Sequence, residues 1–136
     1  MNLTLSVLPG KYAICRLDAP DEVPSWATFS SARRGSGIDD FASITRTGDE
    51  LSIVAPEAVV PQAVKSDRGW RIIKVLGPLD LSLTGVLAAL AAPLADARVN
   101  IFAISTFDTD YLLVKDELLS VAAETLVRAG HQLEPR

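Results

Sequence analysis

The segment Ile104–Val114, ISTFDTDYLLV, sets Ser105, Thr106, Asp108, Thr109 and Asp110 in the middle of an otherwise apolar run. Hydroxyls and carboxylates grouped this way can do two things. They can close a hairpin, because Asp and Thr side chains bond their own backbone in turns. They can also form a polar rim that meets a small ligand at the end of a sheet. Other chemistries have fewer residues to work with. Cys15 is the single cysteine and His131 the single histidine, so neither a disulfide within the chain nor a zinc site of ordinary ligands is expected. No cofactor is expected. His131 stands close to the C-terminus, where a catalytic base is poorly held, and reads as a surface residue opening a last strand. Arg33-Arg34 beside Gly35-Ser36-Gly37 lacks the strand and helix that a phosphate loop needs, and Asp18, Asp21 and Glu22 read as a solvated loop whose spacing makes no catalytic carboxylate pair with Asp39-Asp40.

These residues need a frame. The chain has 136 residues, 49% apolar and 22% charged, an ordinary globular balance. Its net charge of −4, with 17 acidic against 13 basic side chains, lacks the positive footprint that nucleic acid or an anionic membrane requires. Neither is expected as a partner. No signal peptide and no apolar run of roughly 18 residues is evident, so a soluble cytoplasmic protein is expected.

The chain repeats itself. Ile44–Glu57 (ITRTGDELSIVAPE) lies over Ile104–Glu117 (ISTFDTDYLLVKDE) at an offset of 60, and Lys11–Leu17 lies over Arg71–Gly77 at the same offset. In the second half, WRIIKVLG reads as a buried strand and GPLDLSLTG as a loop with Ser82 or Thr84 as N-cap. A helix follows with Leu83, Val86, Leu87, Leu90 and Leu94 on one face, kinked or broken near Ala92 by Pro93. NIFAIST and DYLLVK read as paired strands. DELLSVAAETLVRAG reads as a helix ending at Gly130, and HQLEP as a last strand. The order is βαββαβ, the ferredoxin-like unit. The first half follows the same plan with shortened helices, and Lys65–Gly69 reads as the connecting loop. The expected fold class is α+β, with ferredoxin-like units over residues 1–66 and 67–136.

Two such units in tandem, the loop running into TGV, and ISTFDTDYLLV resemble ACT domains. The resemblance is closest to small bacterial tandem-ACT proteins related to the CASTOR arginine sensors, and it is clearest from Gly85 to Val114. It implies a regulatory module that binds an amino acid or similar small ligand, as a homodimer and without catalysis. It places the ligand between Asp80, Leu81, Ser82, Leu83, Thr84, Gly85 and Val86 on the loop and Ser105, Thr106, Phe107 and Asp110 on the strand end. The loop suits a carboxylate, because helix N-termini offer unbonded N–H groups. Thr106 and Asp110 offer acceptors to an ammonium, and Phe107 would cover the aliphatic part. The sensors carry consecutive acids where this chain has Ser82 and Leu83. A buried guanidinium without an acidic partner is strongly penalised, so the expected ligand is a neutral or small amino acid. Two alternatives are a purely structural dimerisation module with a vestigial pocket and a small ferredoxin-like enzyme.

Overall fold

The computed structural model describes residues 1–27, 41–80 and 82–134. Arg33-Arg34 and Asp39-Asp40 lie outside the described residues. The chain divides into two compact units, Met1–Leu8 with Arg71–Arg136, and Pro9–Trp70.

The first of these contains β1 (Thr4–Val7), the end of β5 (Ser66–Val75), α1 (Val86–Asp96), β6 (Phe102–Ser105), β7 (Asp110–Lys115), α2 (Leu119–Arg128) and β8 (Gln132–Leu133). From β5 onward this is the βαββαβ order. β7 pairs with both β5 and β6. β1 pairs antiparallel with β5, Leu5 opposite Val75, and parallel with β8, Leu5 opposite Leu133. Residues 1–8, expected within the first half, therefore belong to the unit that holds the second half. The reason is ladder bonding, since β1 fills the place between β5 and β8.

The apolar positions explain these elements. β5 and β7 bury Ile73, Val75, Leu112 and Val114, which meet Val86, Leu90 and Leu94 of α1 and Ala122 and Leu126 of α2. Burying one such aliphatic side chain is worth about 1.5–3 kcal/mol. The expected stripe on α1 is narrower than its spacing suggests. Leu90 and Leu94 are fully buried, while Leu83 and Leu87 are 45% and 39% exposed.

α1 runs through Pro93 without the expected break near Ala92. A proline removes the donor to the carbonyl four residues earlier, here that of Ala89. His131 stands in for it. Its Nε2 lies 3.2 Å from the Ala89 carbonyl, while its Nδ1 accepts the Leu3 N–H at 3.1 Å. These partners give His131 the Nε2–H tautomer. The residue is 4% exposed, not the surface histidine that its position near the C-terminus suggests.

The unit Pro9–Trp70 contains β2 (Tyr12–Leu17), a 3-10 turn at Ser25–Ala27, β3 (Ser43–Arg46), β4 (Leu51–Pro56), a second 3-10 turn at Glu57–Val59 and the start of β5. β4 pairs with β2 and β3, both antiparallel. Ala13, Cys15, Leu51, Ile53 and Ala55 form its core, with Trp26 packed against them. The stretch Lys65–Gly69, expected as a loop, is largely strand. β5 begins at Ser66, and a bulge between Trp70 and Asp67 shifts its register against β2.

Cys15 lies at 2% exposure, and burial pushes its thiol up, against the smaller opposing pull of the Arg68 charge. A thiol in that state is a poor nucleophile. Iodoacetamide at neutral pH is expected to leave Cys15 unlabelled in the native protein and to label it fully in denaturant, as read by intact mass.

Candidate functional site

The hairpin between β6 and β7 answers half of the question posed by its sequence. The Thr106 N–H donates to the Thr109 carbonyl at 2.8 Å, and the Thr109 N–H donates to Thr106 Oγ1 at 3.3 Å. Thr109 is buried, and its hydroxyl donates to the Val75 carbonyl on β5. Both threonines are thus committed to the turn. The remaining polar groups face a cleft.

That cleft has a volume of about 290 Å³. Leu79, Asp80, Leu83, Gly85, Val86 and Leu87 line one side, and Ser105 to Asp110 line the other. Its two walls touch because β5 lies beside β7, and the Leu79 N–H donates to the Asp108 carbonyl at 2.7 Å. Gly77 makes that approach possible. A Cβ there would sit 2.9 Å from the Asp108 carbonyl oxygen and 3.0 Å from the Leu79 nitrogen. The sequence offers Gly77 only as a strand break, because its neighbour across the cleft, Asp108, is 31 positions away in the chain.

Gly85 is the N-cap of α1 in place of the expected Ser82 or Thr84, and no side chain caps the helix. Its φ of 84° requires glycine, while a Cβ there would meet open space. The requirement is therefore conformational. The first-turn N–H groups of α1 have no intrahelical partner, and the first helical residues, Val86 and Leu87, line the cleft with Gly85. Ser82 turns inward to Asp80. Its N–H and hydroxyl both donate to Asp80 Oδ1, at 2.8 and 2.7 Å, and these bonds hold that carboxyl below the usual range.

Of the expected site residues, the structure brings Asp80, Leu83, Gly85, Val86, Ser105, Thr106, Phe107 and Asp110 to one cleft. Ser82 and Thr84 belong to the same loop and stand outside that lining, and Leu81 lies outside the described residues. Asp108 and Thr109 of the polar segment join the lining, and Leu79 and Leu87 do so unannounced. Leu87 has the spacing of a core residue, and no local signal distinguishes it from one.

Known proteins with related sequence or structure agree with this architecture. The ACT domain family model matches residues 65–128, and a model of an N-terminal domain matches residues 10–63. The bovine protein named cytosolic arginine sensor for mTORC1 subunit 1 is 27% identical over 99 residues, 65% of this chain and 30% of its own length. The chain thus spans under a third of that relative. The crystal structure of protein Atu0741 from Agobacterium tumefaciens is 40% identical, with a TM-score of 0.86 over 98% of this chain and 93% of that one. The regulatory subunit of aspartate kinase from Thermus thermophilus shares the fold, with a TM-score of 0.63 over 95% of this chain and 99% of that one at 14% identity. With β5, α1, β6, β7 and α2 over the residues matched, the chain is an ACT-domain protein, belonging to one family with the Agobacterium protein and resembling the CASTOR sensors.

Proposed function

We propose that this protein is a non-catalytic regulatory module that binds a neutral or small amino acid in the cleft between residues 77–85 and 104–110. The observation that carries the reading is the cleft's composition. It sets an uncapped helix N-terminus beside three carboxylates, Asp80, Asp108 and Asp110, with no basic side chain in its lining. A carboxylate belongs at the helix end, an ammonium among the acceptors. Leu83, Leu87 and Phe107 suit an aliphatic remainder. A volume near 290 Å³ lies at the small end of ligand sites, as a single amino acid needs. The relatives named arginine sensors support an amino acid as the ligand class. Against arginine itself stand Ser82 and Leu83, which offer no second acid to a guanidinium.

Phe107 is 78% exposed at the mouth of this cleft. A second copy of the chain, covering Phe107, Leu83 and Leu87, would close it, so we read the working form as a cytoplasmic homodimer. Isothermal titration across the amino acids tests the site. One neutral amino acid is expected to bind. Asp110→Ala should weaken it about tenfold or more, the loss of one charge-assisted hydrogen bond, and Gly85→Trp should abolish binding. At a hundred times its dissociation constant that ligand should add about 2.7 kcal/mol of stability. If no amino acid binds at millimolar concentration, the cleft is vestigial and the module structural. A strict monomer in sedimentation removes the dimer part alone.

A further inference from the structure

The two hairpin turns are built alike, and their register reveals what became of the cleft in the other unit. Arg46 pairs with Leu51 as Ser105 pairs with Asp110. Between them, the Thr47 N–H donates to the Glu50 carbonyl at 2.9 Å, and the Glu50 N–H donates to Thr47 Oγ1 at 3.2 Å. Those are the bonds of Thr106 and Thr109. The structural offset is therefore 59, one less than the best sequence match. The 3-10 turns after β4 and β7, at Glu57–Val59 and Asp116–Leu118, keep it.

At this register Arg46 occupies the place of Ser105, a wall residue of the amino-acid cleft. Its guanidinium reaches the loop after β2, the counterpart of the loop after β5. Nη1 donates to the Ala19 carbonyl and Nη2 to the Asp21 carbonyl at 2.7 Å. The loop is shaped to receive it, since the Asp18 N–H donates to Asp21 Oδ2 at 3.1 Å and the Asp21 N–H to the Asp18 carbonyl at 3.0 Å. Arg16 adds a second tie. Its Nη2 donates to the carbonyl of Asp49, the counterpart of Asp108, at 3.1 Å, and its Nη1 lies 3.4 Å from Asp18 Oδ1. Where Pro9–Trp70 has wall and loop joined by arginine side chains, the other unit has an open cleft.

We infer that Arg46 is a tethered stopper, a guanidinium from the chain itself seated between the hairpin and loop of the Pro9–Trp70 unit, so that among the described residues the wall and loop that could have flanked a second cleft are tied together. The inference rests on the reading of the 77–110 cleft as a ligand site, but its test uses no amino acid. A planar fork that donates to two carbonyls is matched by a small guanidinium and poorly by an ammonium. Arg46→Ala and Arg46→Lys are each expected to lower Tm by about 4 °C, a small shift because the side chain is exposed. Millimolar methylguanidinium should return about half of that loss to Arg46→Ala, with no gain for wild type and none from methylammonium. A fall in Tm without rescue would show Arg46 to be an ordinary surface side chain and overturn the inference. Full stability in Arg46→Lys, or equal rescue by methylammonium, would overturn it too. Rescue in a protein whose wild type binds no amino acid would uphold the slot and reject the function of the other cleft.

Discussion

Gly77→Ala is expected to destabilise the protein by about 2 kcal/mol, in the range of an overpacked site, although Gly77 is exposed and its replacement adds one methyl group. The added Cβ would lie 2.9 Å from the Asp108 carbonyl oxygen and 3.0 Å from the Leu79 nitrogen. Those two atoms are the ends of a 2.7 Å hydrogen bond. Neither belongs to a flexible side chain tip, so the backbone itself must move. The cleft must widen with it, because Leu79 and Asp108 stand on its opposite walls. Urea unfolding should show a lower midpoint at unchanged slope. Gly48→Ala is the control, since a Cβ there meets nothing within 4 Å. It should be neutral, or gain up to about 1 kcal/mol from a less flexible unfolded chain. Equal behaviour of the two variants would mean that the loop and hairpin are not in contact.

His131→Ala is expected to cost about 3 kcal/mol, a drop in Tm on the order of 10 °C. The loss leaves two groups without partners, the buried Leu3 N–H and the Ala89 carbonyl that Pro93 cannot serve. The second half of that account has its own test. Pro93→Ala restores a donor to the Ala89 carbonyl, after which His131 has less to do. The cost of His131→Ala should therefore fall by about 1 kcal/mol in the Pro93→Ala background, a coupling ordinary for groups sharing one partner. Identical costs in both backgrounds would show that His131 acts on Leu3 alone. Circular dichroism of the two single variants should retain the helical signal, because α1 is held chiefly by the burial of Leu90 and Leu94.

Much of the architecture was legible in the chain because it rests on local signals. Runs of Val, Ile and Leu mark β5 and β7, Gly130 ends α2, and the threonines of ISTFDTDYLLV turn the hairpin. The repeat was legible as well, though one position off at the hairpin. Identities such as Ile44 over Ile104 outweighed the turn geometry, which matches Thr47 to Thr106. What tertiary structure alone decided was each matter of partners distant in sequence. β1 reads as part of the first half, and ladder bonds to β5 and β8 assign it to the other unit. His131 reads as a surface residue, and only the fold brings it within reach of a carbonyl that a proline 38 residues earlier left open. Leu83 and Leu87 share the helical spacing of Leu90 and Leu94, yet they lie past the point where strands cover α1, and so they edge a cleft instead of a core. Spacing along a chain specifies which residues share a face. What that face meets depends on contacts whose closing entropy is offset only when the whole sheet forms.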